Sequence, residues 1–265
     1  MDLQLTGKKA LVSGSTAGIG YGIALALARE GAEVVVNGRT EARVNEAVAH
    51  LKKELGDQAK ITGVAADLGT ADGVETITRE VPTVDVLVNN LGIFEPKAFA
   101  DITDEDWTRF FEVNVLSGVR LSRFHLPRMT AAGWGRIVFI SSESGVNTPT
   151  EMIHYGLTKT AQLALSRGLA QTAKGTGVTV NSVLPGPTAS EGVGTFVEQM
   201  ARDRGITPEQ MEKDFFEHAR PSSLLKRFET VAEIADAVAF VCSPLAAAIT
   251  GAALRVDGGV VSSIV

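Results

Sequence analysis

Tyr155 and Lys159 stand four residues apart, and Ser142 lies thirteen residues before the tyrosine, at the end of an apolar run. On a helix, residues i and i+4 share one face, so this spacing sets an ammonium beside a phenol. A free tyrosine titrates near ~10, and a fixed positive charge beside it favours the phenolate, which lowers that value and eases proton transfer to a developing alkoxide. A serine hydroxyl reaching the same oxygen would hydrogen-bond it. The chemistry such a trio could serve is proton transfer to or from an alkoxide, with the tyrosine as general acid or base. Taken alone, the pair also fits two surface residues on any amphipathic helix, and Ser142 fits a strand-end hydroxyl.

Positioning these groups requires a helix over residues 152–174 and a strand ending just before Ser142. Short β-branched runs at 8–12, 33–37, 60–65, 84–89, 135–140, 178–184 and 252–256 read as strands, with helical patterns between them. Continuous apolar runs such as Val34-Val35-Val36 suit strands covered on both faces, which predicts a parallel sheet. The alternation predicts an α/β, doubly wound, Rossmann-type sheet of about seven strands in a single domain over 1–265. Thr103 and Thr230, each followed three residues later by an acid (Asp106 and Glu233), mark helix starts by the capping-box pattern. The segment 187–229, rich in charge, Gly and Pro, interrupts the alternation with two short helical stretches. It is expected to form a mobile lid, hinged near Gly186, Gly192 and Gly194, with Phe196, Met200, Met211, Phe215 and Phe216 as its apolar inner face. A rigid helical insertion is the alternative.

A chain of 265 residues with 45% apolar composition can bury one large core. Its formal net charge of −6 and lack of a basic tract give no electrostatic support to a nucleic-acid or anionic-membrane partner. One cysteine, Cys242, excludes an intrachain disulfide and fits a reducing compartment. With no long apolar stretch and no basic, apolar leader, the protein is expected to be soluble, unprocessed and cytoplasmic. His50, His125 and His218 read as isolated, so no metal site is expected, and His154 is a candidate for the pocket wall or an ordinary helix residue. Trp107, Phe110 and Phe111 are expected to pack a helix face or a subunit contact.

The first strand runs into Ser13-Gly14-Ser15-Thr16-Ala17-Gly18-Ile19-Gly20. Glycines here let the backbone approach a pyrophosphate, and the following helix offers it free amides and a partial positive charge. The spacing G-x-x-x-G-x-G resembles that of the short-chain dehydrogenase/reductase family, with Ser13 in place of the usual Thr. The resemblance covers the whole chain: Asn89-Asn90-Leu91-Gly92 is similar to the family's N-N-A-G, Asn114 stands in a V-N-V context, and Pro185-Gly186 follows the sixth strand. Leu91 departs from the pattern with a larger side chain.

The resemblance implies a catalytic tetrad of Asn114, Ser142, Tyr155 and Lys159. Tyr155 would be the acid or base, Lys159 would hold the nicotinamide ribose, Ser142 would polarise the carbonyl, and Asn114 would position a water linking the lysine to solvent. It also implies cofactor contacts from Gly14, Ser15, Thr16, Gly18, Ile19 and Gly20, from Asp67 and Leu68 near the adenine, and from Asn90 and Gly92. Tyr155, Lys159, Pro185, Gly186 and Thr188 complete the set. At the end of the second strand, where an acid would bind both ribose hydroxyls of NAD, the chain has Gly38-Arg39. A guanidinium can grip a 2′-phosphate there, so NADP is the expected cofactor, with NAD as the alternative. Similar enzymes include 3-oxoacyl-carrier-protein reductases, yet Gly133 and Thr176 stand where those carry basic residues. Lys174 and Arg136 nearby keep that reading open, and a non-catalytic dinucleotide-binding sensor or scaffold is the alternative of a different class. The substrate is expected to be a small carbonyl compound or alcohol. Family resemblance, long helices near 103–132 and 152–174, and an apolar tail (Val260-Val261 to Ile264-Val265) imply a homo-oligomer, a tetramer.

Overall fold

The structure, a computed structural model, describes residues 1–56 and 58–264, the side chains of 195 and 196 aside. The expected roles of the Phe196 side chain and of Val265 lie outside the described residues. Seven strands form one sheet: β1 (Lys9–Val12), β2 (Glu33–Gly38), β3 (Ile61–Ala65), β4 (Val86–Asn89), β5 (Gly135–Ile140), β6 (Val178–Pro185) and β7 (Ala253–Val256). Their order is β3-β2-β1-β4-β5-β6-β7, and every neighbouring pair is parallel. The chain steps outward from β1 to β3, then returns to β1's other side with β4. Loops leaving β1 and β4 therefore part in opposite directions and open a crevice at the strands' carboxyl ends.

Between the strands lie α1 (Gly18–Arg29), α2 (Glu41–Leu55), α3 (Ala71–Glu80), α4 (Asp104–Phe111), α5 (Ser117–Ala132), α6 (Ile153–Thr172), α7 (Glu191–Arg204), α8 (Pro208–Asp214) and α9 (Val231–Cys242). Alternation along each strand sends side chains to two cores. Ala10 and Val12 pack on one face with Ile23 and Leu27 of α1 and Ile234 and Val238 of α9. Leu11, Leu87 and Phe139 pack on the other face with Ile77 of α3, Leu121 of α5 and, at its edge, Leu165 of α6. Both faces are dry, which is why the strand sequences read as nearly continuous apolar runs.

The expected helix over 103–132 is present with one interruption, a π-helical turn at Glu112–Leu116 between α4 and α5. A π turn inserts a residue into the helical ladder and turns nearby groups out of register, and Asn114 sits in this one. Capping boxes hold α4 through Thr103 and Asp106 and α9 through Thr230 and Glu233. A third, Thr207 with Gln210 ahead of Pro208, starts α8. The segment 187–229 contains α7, α8 and a second π turn, Phe215–Ala219. Among the described residues, no helix is long and apolar enough to cross a membrane. Val260 and Val261, expected in an outward apolar tail, are buried within the protomer at 1% and 7% exposure, because Asp257 accepts from Val261 N and folds the chain inward.

Candidate functional site

A cavity of about 570 Å³ lies over the carboxyl ends of β1, β4, β5 and β6. Its floor is the glycine turn. Ser13 Oγ donates to Val88 O and accepts from the amides of Asn90 and Leu91, tying the ends of β1 and β4 together. Asn90 Nδ2 donates to Ser13 O and Gly14 O, so this expected cofactor contact also braces the turn. Gly20 is required by that brace, since a Cβ there would fall 2.4 Å from both Asn90 Nδ2 and Gly14 O. Gly14, Gly18, Ile19 and Gly20 all line the cavity. The N-cap of α1 is Ala17, which supplies no side-chain cap, and its first turn holds no acid. Amides left without a side-chain cap at a cavity wall suit an anion, and they fit a pyrophosphate.

The opposite wall carries the expected chemistry. Ser142, Tyr155 and Lys159 line the same cavity, with Gly92, Pro185, Gly186 and Thr188 beside them. Thr188 is buried, and its Oγ1 donates to Gly186 O. Lys159 is 4% exposed; its Nζ donates to Ile140 O at 2.9 Å and to Gln162 Oε1 at 3.4 Å, and it stands 5.5 Å from the Tyr155 ring centre. A Cβ on Gly92 would come within 3.3 Å of that Nζ, so the glycine keeps open the space in front of the amine. Asn114 lies behind this wall. Its Oδ1 accepts from Ile93 N and its Nδ2 donates to Ile93 O and Thr158 Oγ1. Its main-chain carbonyl accepts from Gln162 Nε2, so Gln162 bridges Lys159 and the π turn.

The expected lowering of the Tyr155 pKa does not hold for the protein without cofactor. Burial pushes the phenol up to about 12, against an opposing hydrogen bond from Ser142; Glu143 adds to the rise and Arg220 opposes it. Burial also brings the Lys159 amine down to about 7, so near neutrality it is no longer the fixed cation that the spacing promised.

The adenosine-side candidates do not line the cavity. Ser15 is fully buried, its Oγ donating to Val12 O and accepting from Asn37 N, and Leu68 belongs to the core, so contact from either is restricted to the backbone. Thr16 packs against Gly38, where a Cβ would lie 2.5 Å from its Cγ2. Arg39 is exposed beside it, and Asp67 is exposed with Oδ1 accepting from Gly69 N.

Several expectations are corrected. Of the two readings of His154 the ordinary helix residue holds: it is fully buried in α6 against Phe110 and Trp107, ring centres 4.0 and 6.0 Å away, and is not part of the cavity wall. His218 is not isolated: Asp214, Glu217 and His218 bring ligand atoms within 4.8 Å of one another on the surface. Arg204 and Lys213 already pair with that cluster's carboxylates. Arg136 cannot serve as a surface cation, because it is 2% exposed and donates to the carbonyls of Gly135, Gly177 and Ser243. No spacing or motif marks Glu143, Glu151 and Arg220, which meet in the cavity wall from distant segments. Met200 and Met211 of the insertion line the cavity as expected, and so does Phe215, whereas Phe216 is buried beneath it.

The buried amine has a consequence for stability. An unfolded lysine titrates near ~10.4, so between that value and about 7 the unfolded chain binds more protons, and stability of the cofactor-free protein rises with pH through this window. The cost of charging Lys159 is complete below about 7 and vanishes above ~10. Lys159→Met is therefore expected to be more stable than the parent near neutrality, with the gap closing toward pH ~10. Urea unfolding of both proteins across that range checks this, and parallel profiles would contradict it.

A family model described as enoyl-(acyl carrier protein) reductase matches residues 14–261. The chain is 49% identical over the full length of both proteins to YvaG, an uncharacterized oxidoreductase of Bacillus subtilis. It superposes with a TM-score of 0.94 on L-sorbose reductase from Gluconobacter frateurii complexed with NADPH and L-sorbose, at 30% identity with both chains fully covered. It also superposes with a TM-score of 0.84, again at 30% identity, on a 7α-hydroxysteroid dehydrogenase complexed with NADH and 7-oxo glycochenodeoxycholic acid, covering all of this chain and 98% of the other. By sequence, fold and the arrangement of the cavity, the chain belongs to the short-chain dehydrogenase/reductase family of NAD(P)-dependent oxidoreductases.

Proposed function

We propose that the protein interconverts a carbonyl compound and an alcohol with NADP as its preferred cofactor and Tyr155 as the general acid or base. The observation that carries this reading is the meeting of Ser142, Tyr155 and Lys159 in the same cavity as the uncapped start of α1. When bound, the nicotinamide supplies or accepts the hydride. The amides of Gly18, Ile19 and Gly20 bind the pyrophosphate, and Arg39 with Thr16 binds the ribose phosphate of NADP. Ser142 donates a hydrogen bond to the substrate oxygen, and Tyr155 passes its proton to that oxygen as it gains charge. Lys159 would hold the nicotinamide ribose and, once charged, would stabilise the phenolate that remains.

The segment 187–229 acts as the lid in this reading. Val193, Val197, Met200 and Met211 of α7 and α8 already line the cavity, so a small motion of these helices would exclude water from it. Hydrogen exchange across 190–220 should slow when NADP and a substrate analogue bind; unchanged protection would reject the lid.

Two substitutions test the chemistry. Tyr155→Phe removes one oxygen and keeps the ring, so turnover should fall by ~10²–10⁴ while NADPH still binds. Turnover near that of the parent would sink the assignment. Arg39→Asp replaces a charge-assisted contact with repulsion and should shift preference from NADP toward NAD, read from the two dissociation constants. A parent that already binds NAD more tightly would overturn the cofactor choice.

A further inference from the structure

The substrate end of the cavity holds a cluster of three charged side chains. Arg220 Nε donates to Glu143 Oε1 at 2.9 Å, and its Nη1 donates to Glu151 Oε1 at 3.2 Å and to Ala219 O at 2.8 Å. Glu143 follows Ser142 directly, Glu151 precedes Tyr155 by four residues, and Arg220 ends the π turn of the insertion. The charges of Glu143 and Arg220 are felt by the Tyr155 phenol, which places them beside the reacting group.

Two carboxylates face one guanidinium, so the cluster carries an excess of negative charge when both are ionised, although burial raises the Glu143 carboxyl above its usual range. Its hydrogen bonds are also incomplete. Glu143 Oε2 is buried with no partner, and among the described residues none accepts from Arg220 Nη2. The Glu151 side chain is 48% exposed, with one oxygen on Arg220. Arg220 thus keeps an unused donor, Nη2, and Glu151 an unused carboxylate oxygen, on two side chains already joined through Nη1, with Glu143 holding the guanidinium through Nε.

Only some ligands satisfy such a pair. A hydroxyl both donates and accepts, so one or two neighbouring hydroxyls complete it. A substrate carboxylate offers acceptors alone, so it gives Glu151 no donor and sets a third carboxyl group beside one guanidinium, and a hydrocarbon chain leaves both groups unpaired, which is costly in a desolvated site. Phe94, Phe215, Phe228 and Met200 also line the cavity and give it apolar surface that suits the C–H faces of a hydroxylated chain.

We infer that Arg220 and Glu151, backed by Glu143, form a hydroxyl-recognition site that selects neutral polyhydroxylated ketones and the corresponding polyols over anionic keto acids and over unsubstituted ketones. This rests on the reading of the cavity as a carbonyl-reducing site. Glu151 is then a specificity-determining residue of the exposed wall.

The test uses the NADPH-loaded enzyme with three kinds of probe: the ketohexoses, 2-hexanone as their deoxygenated counterpart, and acetoacetate as a keto acid. The best ketohexose should exceed both others in kcat/KM. Glu151→Leu should lower the ratio of kcat/KM for that ketohexose over 2-hexanone by about tenfold or more, and Glu151→Gln, which keeps an acceptor, should recover part of the loss. Glu143→Gln, a near-isosteric change, is the second variant and should lower the same ratio. A parent that prefers 2-hexanone or acetoacetate, or ratios unmoved in all variants, overturns the inference while leaving carbonyl reduction intact. NADPH binding with no turnover of any probe also overturns it. Absence of NADPH binding by the parent, measured by fluorescence, instead brings down the reading on which it rests.

Discussion

The nitrogen of Lys159 is buried inside the protein, and the arrangement around it follows from what that burial requires. An amine removed from water must find acceptors or lose its proton. Here the end of β5 supplies one acceptor through Ile140 O, and Gln162, one turn further along α6, supplies another. Gln162 is held in turn by the Asn114 carbonyl, which the π turn between α4 and α5 presents. Three elements far apart in the chain are thus tied to one nitrogen, and Gly92 leaves the space before it clear. Because Tyr155 is desolvated by the same wall, its phenol and the amine are pushed in opposite directions, up to about 12 and down to about 7. In the free protein the phenol rests neutral and the amine is only partly charged near neutrality, so the two become a strong acid–base pair only when something restores the full charge on the lysine.

The other half of the site is built by the sheet's topology. The switch of direction between β1 and β4 opens the crevice, and α1 enters it with neither a side-chain cap nor an acid in its first turn. A helix start left bare at a cavity is unfavourable in isolation and becomes favourable with an anion in place. Asn90 braces that turn through its bonds to Ser13 and Gly14, and Gly20 leaves the room those bonds need, so the turn is held at the cavity before any ligand arrives. Residues of α7 and α8 in the insertion line another part of the cavity, and Arg220 ties the end of the insertion to the segment between β5 and α6, just ahead of Tyr155.

Much of this was legible because it is local or periodic. The strands begin and end within two residues of the positions expected from their β-branched runs, and α6 carries Tyr155 and Lys159 on one face as the spacing required. The glycine turn and two capping boxes were readable for the same reason, and Thr207-Pro208 with Gln210 carried an equal signal that passed unread. What escaped was produced by packing. No periodicity marks a π turn, so the long helix was expected unbroken through Asn114. Glu143, Glu151 and Arg220 meet across as many as 77 residues of chain, and each resembles a surface charge in sequence. Arg136 likewise reads as a surface cation until its backbone partners are seen. The direction of the Tyr155 shift was wrong for one reason: spacing reveals the neighbouring charge and says nothing of the water that burial removes from both groups.

The chain has two tyrosines, Tyr21 and Tyr155, so Tyr21→Phe leaves the phenol of interest as the sole source of tyrosinate absorbance. Titrating that protein with and without saturating NADP tests the coupling between the buried amine and the phenol. Without cofactor, Tyr155 should remain un-ionised near pH ~10, where an ordinary tyrosine is half ionised, and with NADP bound its ionisation should move to lower pH as Lys159 takes up its charge beside the ribose. Ionisation near ~10 or below in the free protein, or a titration that NADP leaves unmoved, would contradict the account.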